Sequence, residues 1–569
     1  MPQFGPALVI LLYFASLATS CTEKERSSLL QFVTELSQDG GLTSSWKNAT
    51  DCCKWEGISC NSDMMVTDVS LASRSLRGHI SASLANLTSL LHLNLSHNFL
   101  TGSLPLEFLS SNSIVVLDVS FNQLSGDLQG LQYSDTAQSR LFLSNTLVVM
   151  KSLVALNASN NSFTGRLPTM FCDSAPSFVL LHLSYNQFSG SIPPELGNCS
   201  KLKYLHAGHN KLSGALPDEL FSITTLEDLS LHDNQLEGSL CSINKLRDLV
   251  SLNLGGNYLS GNIPDSIGDL RRLEKLRLNH NRLSGELPSS LGKCINLKRI
   301  NLGFNYFRGE LTKVDFSNLA NLKLLDLLQN NFSGTIPESI YSCSNLTALR
   351  LSSNKFHDIS NNKLTGEIPT AITHMPMLTT EKITPAVFEL PVYLWVGEHQ
   401  LRGTGGFPKA LELGNNNFTG VIPKEIGQLK GLLSLNLSSN KFTGAIPPSI
   451  CKLTNLQVLD LSGNHLTGVI PSALSNLHRL SQFNVSNNDL EGPIPTMGQL
   501  STFSSSSFNG NPKLCGPVLE LHCSSPKAMF TMEEHTDANI KKSIFVVAFG
   551  AFFGVGVLYD QMVLSRYFG

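Results

Sequence analysis

Charge is scarce in this sequence. Asp, Glu, Lys and Arg make up 15% of its 569 residues, where ordinary soluble domains carry about 25%, and that poverty argues against an intracellular housekeeping enzyme. Neither sign is in excess. Forty-one basic against 44 acidic residues leave a net charge of −3, which excludes a protein that tracks phosphates by bulk charge, so no nucleic-acid partner is expected. Catalytic signatures are missing as well. There is no H-E-x-x-H and no G-x-S-x-G, and Gly403-Thr404-Gly405-Gly406 is too short for a phosphate loop and lacks a following Lys. His206, His209 and His232 read as polar side chains at tolerant repeat positions, and Cys52, Cys53 and Cys60 lack the nearby His pair that a zinc site would need. The reading is of no enzyme, no cofactor and no metal.

Long apolar runs occur only near the two ends. Ala7 to Ala15 followed by Ala18-Thr19-Ser20 reads as a secretory signal peptide over residues 1–20, although the usual basic start is missing. Secretion permits disulfides, and Cys21, Cys52, Cys53 and Cys60 at one end and Cys515 and Cys523 at the other are the candidates. Cys172, Cys199, Cys241, Cys294, Cys343 and Cys451 sit singly and read as small buried thiols. Ser543 to Tyr559 is almost continuously apolar, so a single membrane helix is expected over 543–564, with a tail of 565–569. Its Gly550-x-x-x-Gly554 spacing would let a second helix approach closely.

Between the ends one unit recurs. Asn98-Phe-Leu-Thr-Gly-Ser-Leu-Pro105 reappears at Asn186, Asn210, Asn281, Asn440 and Asn464, preceded by L-x-x-L-x-L-x-x as in Leu90 to Asn98. Most steps are 23 to 25 residues long, the period of a leucine-rich repeat. The spacing has a physical reason. A short strand turns alternate Leu side chains inward, the Asn amide bonds neighbouring backbone, and Gly permits the bend that follows. No coil buries its leucines alone, so coils stack and both ends need caps. Leu29, Phe32, Val33 and Leu36 suit an amphipathic capping helix.

Three steps break the period. Asn122 to Asn161 is 39 residues, read as a longer loop or a degenerate extra turn. Asn362 to Asn416 is 54, an excess of about 30 residues over one period. Asn354 to Asn362 is only 8. That joint, near 356–359, reads as a deletion fusing two repeats, which should cost the adjoining coils part of their core and divide the array. The alternative is an irregular turn inserted into a tolerant loop.

The L-x-G-x-I-P repeat, the Cys52-Cys53-Lys-Trp55-Glu-Gly-Ile-Ser-Cys60 cap and the island ahead of the last four repeats resemble plant leucine-rich-repeat receptors. Phe407-Pro408 running into Leu411-Glu-Leu-Gly-Asn-Asn416 is similar to the receptors for tyrosine-sulfated peptides, the phytosulfokine receptors among them. The resemblance implies an α/β leucine-rich-repeat solenoid, a right-handed superhelix with a parallel concave sheet, disulfide caps and one carboxy-terminal transmembrane helix. The implied order is signal peptide 1–20, cysteine cap 21–65, repeats 66–374, island 375–408, four repeats 409–500, and cap with juxtamembrane linker 501–542. It also implies a single-pass plasma-membrane protein with extracellular repeats. The chain would bind a secreted peptide or protein and, lacking the kinase those receptors carry, would signal through a membrane co-receptor or adaptor kinase. A protein-binding inhibitor or decoy of the polygalacturonase-inhibitor type, or a non-signalling truncated receptor, stays open.

Outward strand positions are where such a solenoid presents chemistry. In repeat phase Lys275, Arg277, Arg299 and Arg350 form a basic stripe, although Asp228, Asp326 and Glu412 occupy equivalent positions. The island adds Lys382, Phe388, Tyr393, Trp395, His399 and Arg402, cations and aromatics that suit a sulfated tyrosine. Glycan acceptors are expected at Asn48, Asn86, Asn94, Asn157, Asn160, Asn198, Asn331, Asn345, Asn417, Asn436 and Asn484.

Overall fold

A computed structural model describes residues 20–109, 111–128, 150–353, 363–380, 392–396, 399–403 and 409–523. The signal peptide, the Phe356 to Ile359 joint, Lys382, Phe388 and the 543–564 segment with Gly550 and Gly554 lie outside the described residues.

One coil explains the rest. Lys275–Arg277 is a three-residue strand whose central Leu276 is fully buried, as is Leu278 beyond it. The chain turns at Asn281, forms a second short strand at Arg282–Gly285, and returns through a 3-10 turn at Ser289–Lys293. Buried Leu283, Leu287, Leu291, Cys294 and Leu297 complete the layer before Arg299–Asn301 begins the next. Asn281 ties two coils together. Its Nδ2 donates to the Leu254, Leu278 and Asn279 carbonyls and its Oδ1 accepts from Leu259 N–H. Glycine is required where coils press together: a Cβ on Gly292 would lie 2.5 Å from the Asp315 carbonyl oxygen.

Seventeen short strands, from Ile58–Cys60 to Gln482–Asn484, pair neighbour to neighbour in one long sheet. Only the first pair is antiparallel. The two end strands pair only inward, so the ladder is open among the described residues. A second set of short strands, such as Arg282–Gly285, runs beside it. The helical half of the expected α/β fold is mostly 3-10. Among the described residues only Glu23–Thr34 is an α-helix longer than five residues, because a 24-residue coil leaves too few return residues for repeated α-turns.

That helix caps the array. Thr22 and Glu25 form a reciprocal capping box, and Leu29, Phe32 and Val33 are buried. Buried Glu25 also accepts from Val66 N–H at 2.9 Å, joining the cap to the first repeat strand. Leu36, expected in the helix, lies instead in the strand Leu36–Gln38, which pairs with Arg77–His79. The Trp46 and Trp55 rings stack at 5.2 Å. At the far end Asn511 continues the ladder, bonding the Val485 and Phe508 carbonyls.

The eight-residue step is not a deletion. Ala348–Arg350 pairs with Leu324–Asp326 on one side and with Ala410–Glu412 on the other. Lys363–Leu364 pairs with Asn331–Gly334, and Asn417 and Thr419 N–H donate to the Leu364 and Gly366 carbonyls. The strand before the step and the return after it therefore belong to a single coil. Leu364, Ile368, Ile372, Met375 and Leu378 supply that coil's full share of core, so the expected loss of core and division of the array do not occur. The coil differs from its neighbours in one respect: Asn416 Oδ1 is buried without a hydrogen-bond partner, where Asn281 Oδ1 accepts an N–H. The 39-residue step behaves alike, since Val116–Asp118 pairs directly with Ala155–Asn157.

The island begins later than its sequence boundary at 375. Met375 and Leu378 are core, and Thr380 carbonyl accepts from Lys409 Nζ at 2.8 Å across the base of the excursion. Within it Val392–Val396 pairs antiparallel with His399–Gly403, setting Tyr393 opposite Arg402 and Trp395 opposite Gln400.

Candidate functional site

Most strands of the long sheet have the form x-Leu-x, with Ile300 and Phe483 at the central place in two others, and their outer residues line the face away from the core. Register puts Lys275 beside Arg299 and Arg277 beside Asn301, with strands about 4.8 Å apart. The three cations therefore share a small area. Burial lowers the Lys275 pKa, and Arg277 and Arg299 lower it further, opposed by Asp228 and Glu274. Burial lowers Arg277 and Arg299 as well. An anionic ligand placed beside these groups would favour their charged forms.

Arg350 does not join them. Its guanidinium pairs with Asp326 at 2.5 Å, the two side chains only 11% and 4% exposed. Beyond it Glu412 has its pKa raised by burial, opposed by a hydrogen bond from Ser434 and by Arg350. Asp326, Arg350 and Glu412 thus alternate in sign on three neighbouring strands, so the expected four-residue stripe shortens to Lys275, Arg277 and Arg299.

Sequence reasoning missed a second cluster. His182 and His206 are 24 residues apart and adjacent in register, their rings edge to face at 5.1 Å. Tyr185 stacks on His209 at 4.1 Å, and His209 meets His232 edge-on at 4.8 Å. Burial lowers the pKa of His182 and of His232 to about 4. The residue before each ladder Asn takes a left-handed φ, as in His97, Phe121, Tyr185, His209, Asp233, His280 and Phe304. Their rings stack along the sheet at 4.1 Å for His97 on Phe121 and 4.0 Å for His280 on Phe304. A search for ring residues at that one repeat position would have found the row.

Cys21 is bonded to Cys52 and Cys53 to Cys60, while Cys515 and Cys523 are each in a disulfide. Cys172 and Cys199, expected as thiols, are also bonded, because successive coils bring their Cα atoms to 4.2 Å. Among the acceptors Asn48, Asn86 and Asn198 are exposed; Asn94, Asn157, Asn160, Asn331, Asn345, Asn417, Asn436 and Asn484 are half-buried. Asn94, Asn157 and Asn436 each accept from the Ser two residues on, a turn that Asp118 and Asp460 make equally well.

Family models describe residues 22–61 as a leucine-rich-repeat N-terminal domain and match repeats at 89–111, 152–199, 248–294, 321–343 and 409–490, in several segments. Receptor-like protein 3 of Arabidopsis thaliana is 33% identical over 223 residues, covering 34% of this chain and 29% of that protein. Phytosulfokine receptor 1 of Arabidopsis thaliana is 30% identical over 189 residues, covering 32% of this chain and 17% of that one. The chain carries leucine-rich repeats behind a leucine-rich-repeat N-terminal domain and is similar to plant receptor-like proteins. It spans less than a third of the length of either relative. The fold is similar to the crystal structure of a TDR receptor, with a TM-score of 0.51 and 25% identity over 78% of this chain and 92% of that one. Among the described residues no helix is long and apolar enough to cross a membrane.

Proposed function

We propose that this chain is the ligand-binding array of a plasma-membrane receptor-like protein, taking a secreted peptide with acidic or sulfated groups on its middle coils. The observation that carries the reading is the Lys275, Arg277 and Arg299 cluster, three cations in register on two adjacent strands, where burial first and then Arg277 and Arg299 lower the Lys275 pKa. The similarity to Phytosulfokine receptor 1, one of the receptors for tyrosine-sulfated peptides that the sequence resembles, supports a peptide as the ligand. The sequons at Asn94, Asn157, Asn436 and Asn484 support the middle coils as the accessible stretch, because glycans there would cover both ends. Lys382, Phe388, Tyr393, Trp395, His399 and Arg402 of the island are proposed as a second contact. The 543–564 segment is proposed as the anchor, with Gly550 and Gly554 meeting a partner kinase that carries the signal.

Capture by immobilised tyrosine-sulfated and unsulfated peptides tests the reading. Binding should favour the sulfated set and weaken at least about tenfold in Arg277→Ala and Arg299→Ala, the scale of one lost charge-assisted contact. Equal capture of both sets, or full binding by both variants, would overturn it.

A further inference from the structure

The histidine row holds a feature that peptide recognition does not use. His209 sits at the left-handed position before Asn210, with φ 53°, and Asp233 takes the same place one coil later, with φ 52°. His209 Nε2 and Asp233 Oδ2 are 3.2 Å apart. His232, beside Asp233, brings a third donor, and one ligand atom from each residue lies within 4.8 Å of the others. We propose that His209, His232 and Asp233 form a binding site for a divalent transition-metal ion, zinc by its ligand class.

Donor chemistry selects the ion. Two imidazoles and a carboxylate suit zinc, copper or nickel and disfavour magnesium and calcium, which prefer all-oxygen shells. Zinc takes nitrogen at about 2.0–2.1 Å and carboxylate oxygen at about 2.0–2.2 Å, so donors on one ion stand roughly 3–3.5 Å apart. The His209 and Asp233 atoms already meet that spacing, and the His232 donor lies within 4.8 Å of both. Three protein donors leave a position open for water or an incoming carboxylate.

The backbone is cut to admit these side chains. A Cβ on Gly208 would lie 2.3 Å from His232 Cε1 and 2.4 Å from its Nδ1. A Cβ on Gly256 would lie 2.1 Å from Asp233 Oδ1. Other coils carry Ser at the Gly208 position, as at Ser96, Ser120, Ser184, Ser438 and Ser462. Ser230 Oγ meets His232 Nδ1 at 3.0 Å and orients the ring with Nε2 left for the ion. Tyr185 stacks against His209 on the opposite side.

Equilibrium dialysis of the purified full-length chain against zinc chloride, read by elemental analysis, is the test. One zinc per chain is expected, with at least about tenfold weaker binding in His209→Ala and His232→Ala and none of that loss in His465→Ala, an exposed histidine near the far end. Gly208→Ser keeps all three donors and displaces one ring, so it should weaken zinc binding while the circular dichroism and metal-free melting stay those of the parent. Absence of bound zinc would overturn the proposal. Undiminished binding in the His209 and His232 variants would do the same, since the metal would then sit elsewhere.

Discussion

Replacing Asn281 with Ala removes one rung of the ladder that holds successive coils in place. The three carbonyls it serves keep a donor each: Leu254 oxygen retains Asn257, Leu278 oxygen retains Asn305, and Asn279 oxygen retains Gly256 N–H. The buried N–H of Leu259 keeps nothing, because Asn281 Oδ1 at 2.9 Å is its acceptor. An orphaned buried donor costs about 1–3 kcal/mol, and the weakened carbonyl bonds add about 1 kcal/mol, giving roughly 2–4 kcal/mol. Asn281→Asp should cost more. Its oxygen can still accept from Leu259, but the other would face three carbonyl oxygens now 2.9, 3.1 and 3.3 Å from Nδ2. Because neighbouring coils couple most strongly, the damage should stay local. Hydrogen exchange reads it: protection of the Leu259 amide should fall about 30- to 700-fold at about 1.4 kcal/mol per decade, while the Leu466 amide, held by Asn488 at 3.0 Å, keeps its rate. Unchanged exchange at Leu259, or an Asp variant no worse than the Ala one, would refute the account.

Acid should weaken the fold through His182, whose pKa falls from 6.5 to about 4 on folding through burial and then His206. Unfolded chains take the proton first, so this contribution is complete above 6.5 and is lost as pH drops towards 4; denaturation midpoints across that window should flatten in His182→Gln, and an unchanged slope would count against it. Cys172→Ser opens a bridge spanning 27 residues, which loop entropy values at about 3.5 kcal/mol. Denaturant unfolding should show that loss, and a much smaller one in Cys294→Ser, whose thiol only donates to the Ile267 carbonyl at 3.2 Å. Peptide mapping should find glycans at Asn94, Asn157, Asn436 and Asn484; if all four are bare, the ends of the sheet are open and the middle coils lose their claim to be the preferred site.

The repeat was legible because its period is set by local chemistry. Leucines at alternate strand positions, an Asn to bond the next coil and a Gly where φ is positive must recur in every coil, whatever surrounds them. The Arg350 partnership was harder to see. Asp326 stands 24 residues away in sequence, and only register shows that its carboxylate meets the guanidinium at 2.5 Å and removes that cation from the face. The eight-residue step misled for a related reason. Counting along the chain treats each Asn as a rung, whereas pairing of Ala348–Arg350 with Ala410–Glu412 shows that the residues between them make up one coil's worth of the ladder.

The sequence by itself determined the solenoid, its two ends and the residues that point outward, since these follow from a period that every coil repeats. Only the tertiary structure decided which outward residues act together. Stacking places side chains a full repeat apart within a few ångströms, so the Cys172–Cys199 bond, the Asp326–Arg350 pair and the meeting of His209, His232 and Asp233 exist only once the coils are in register.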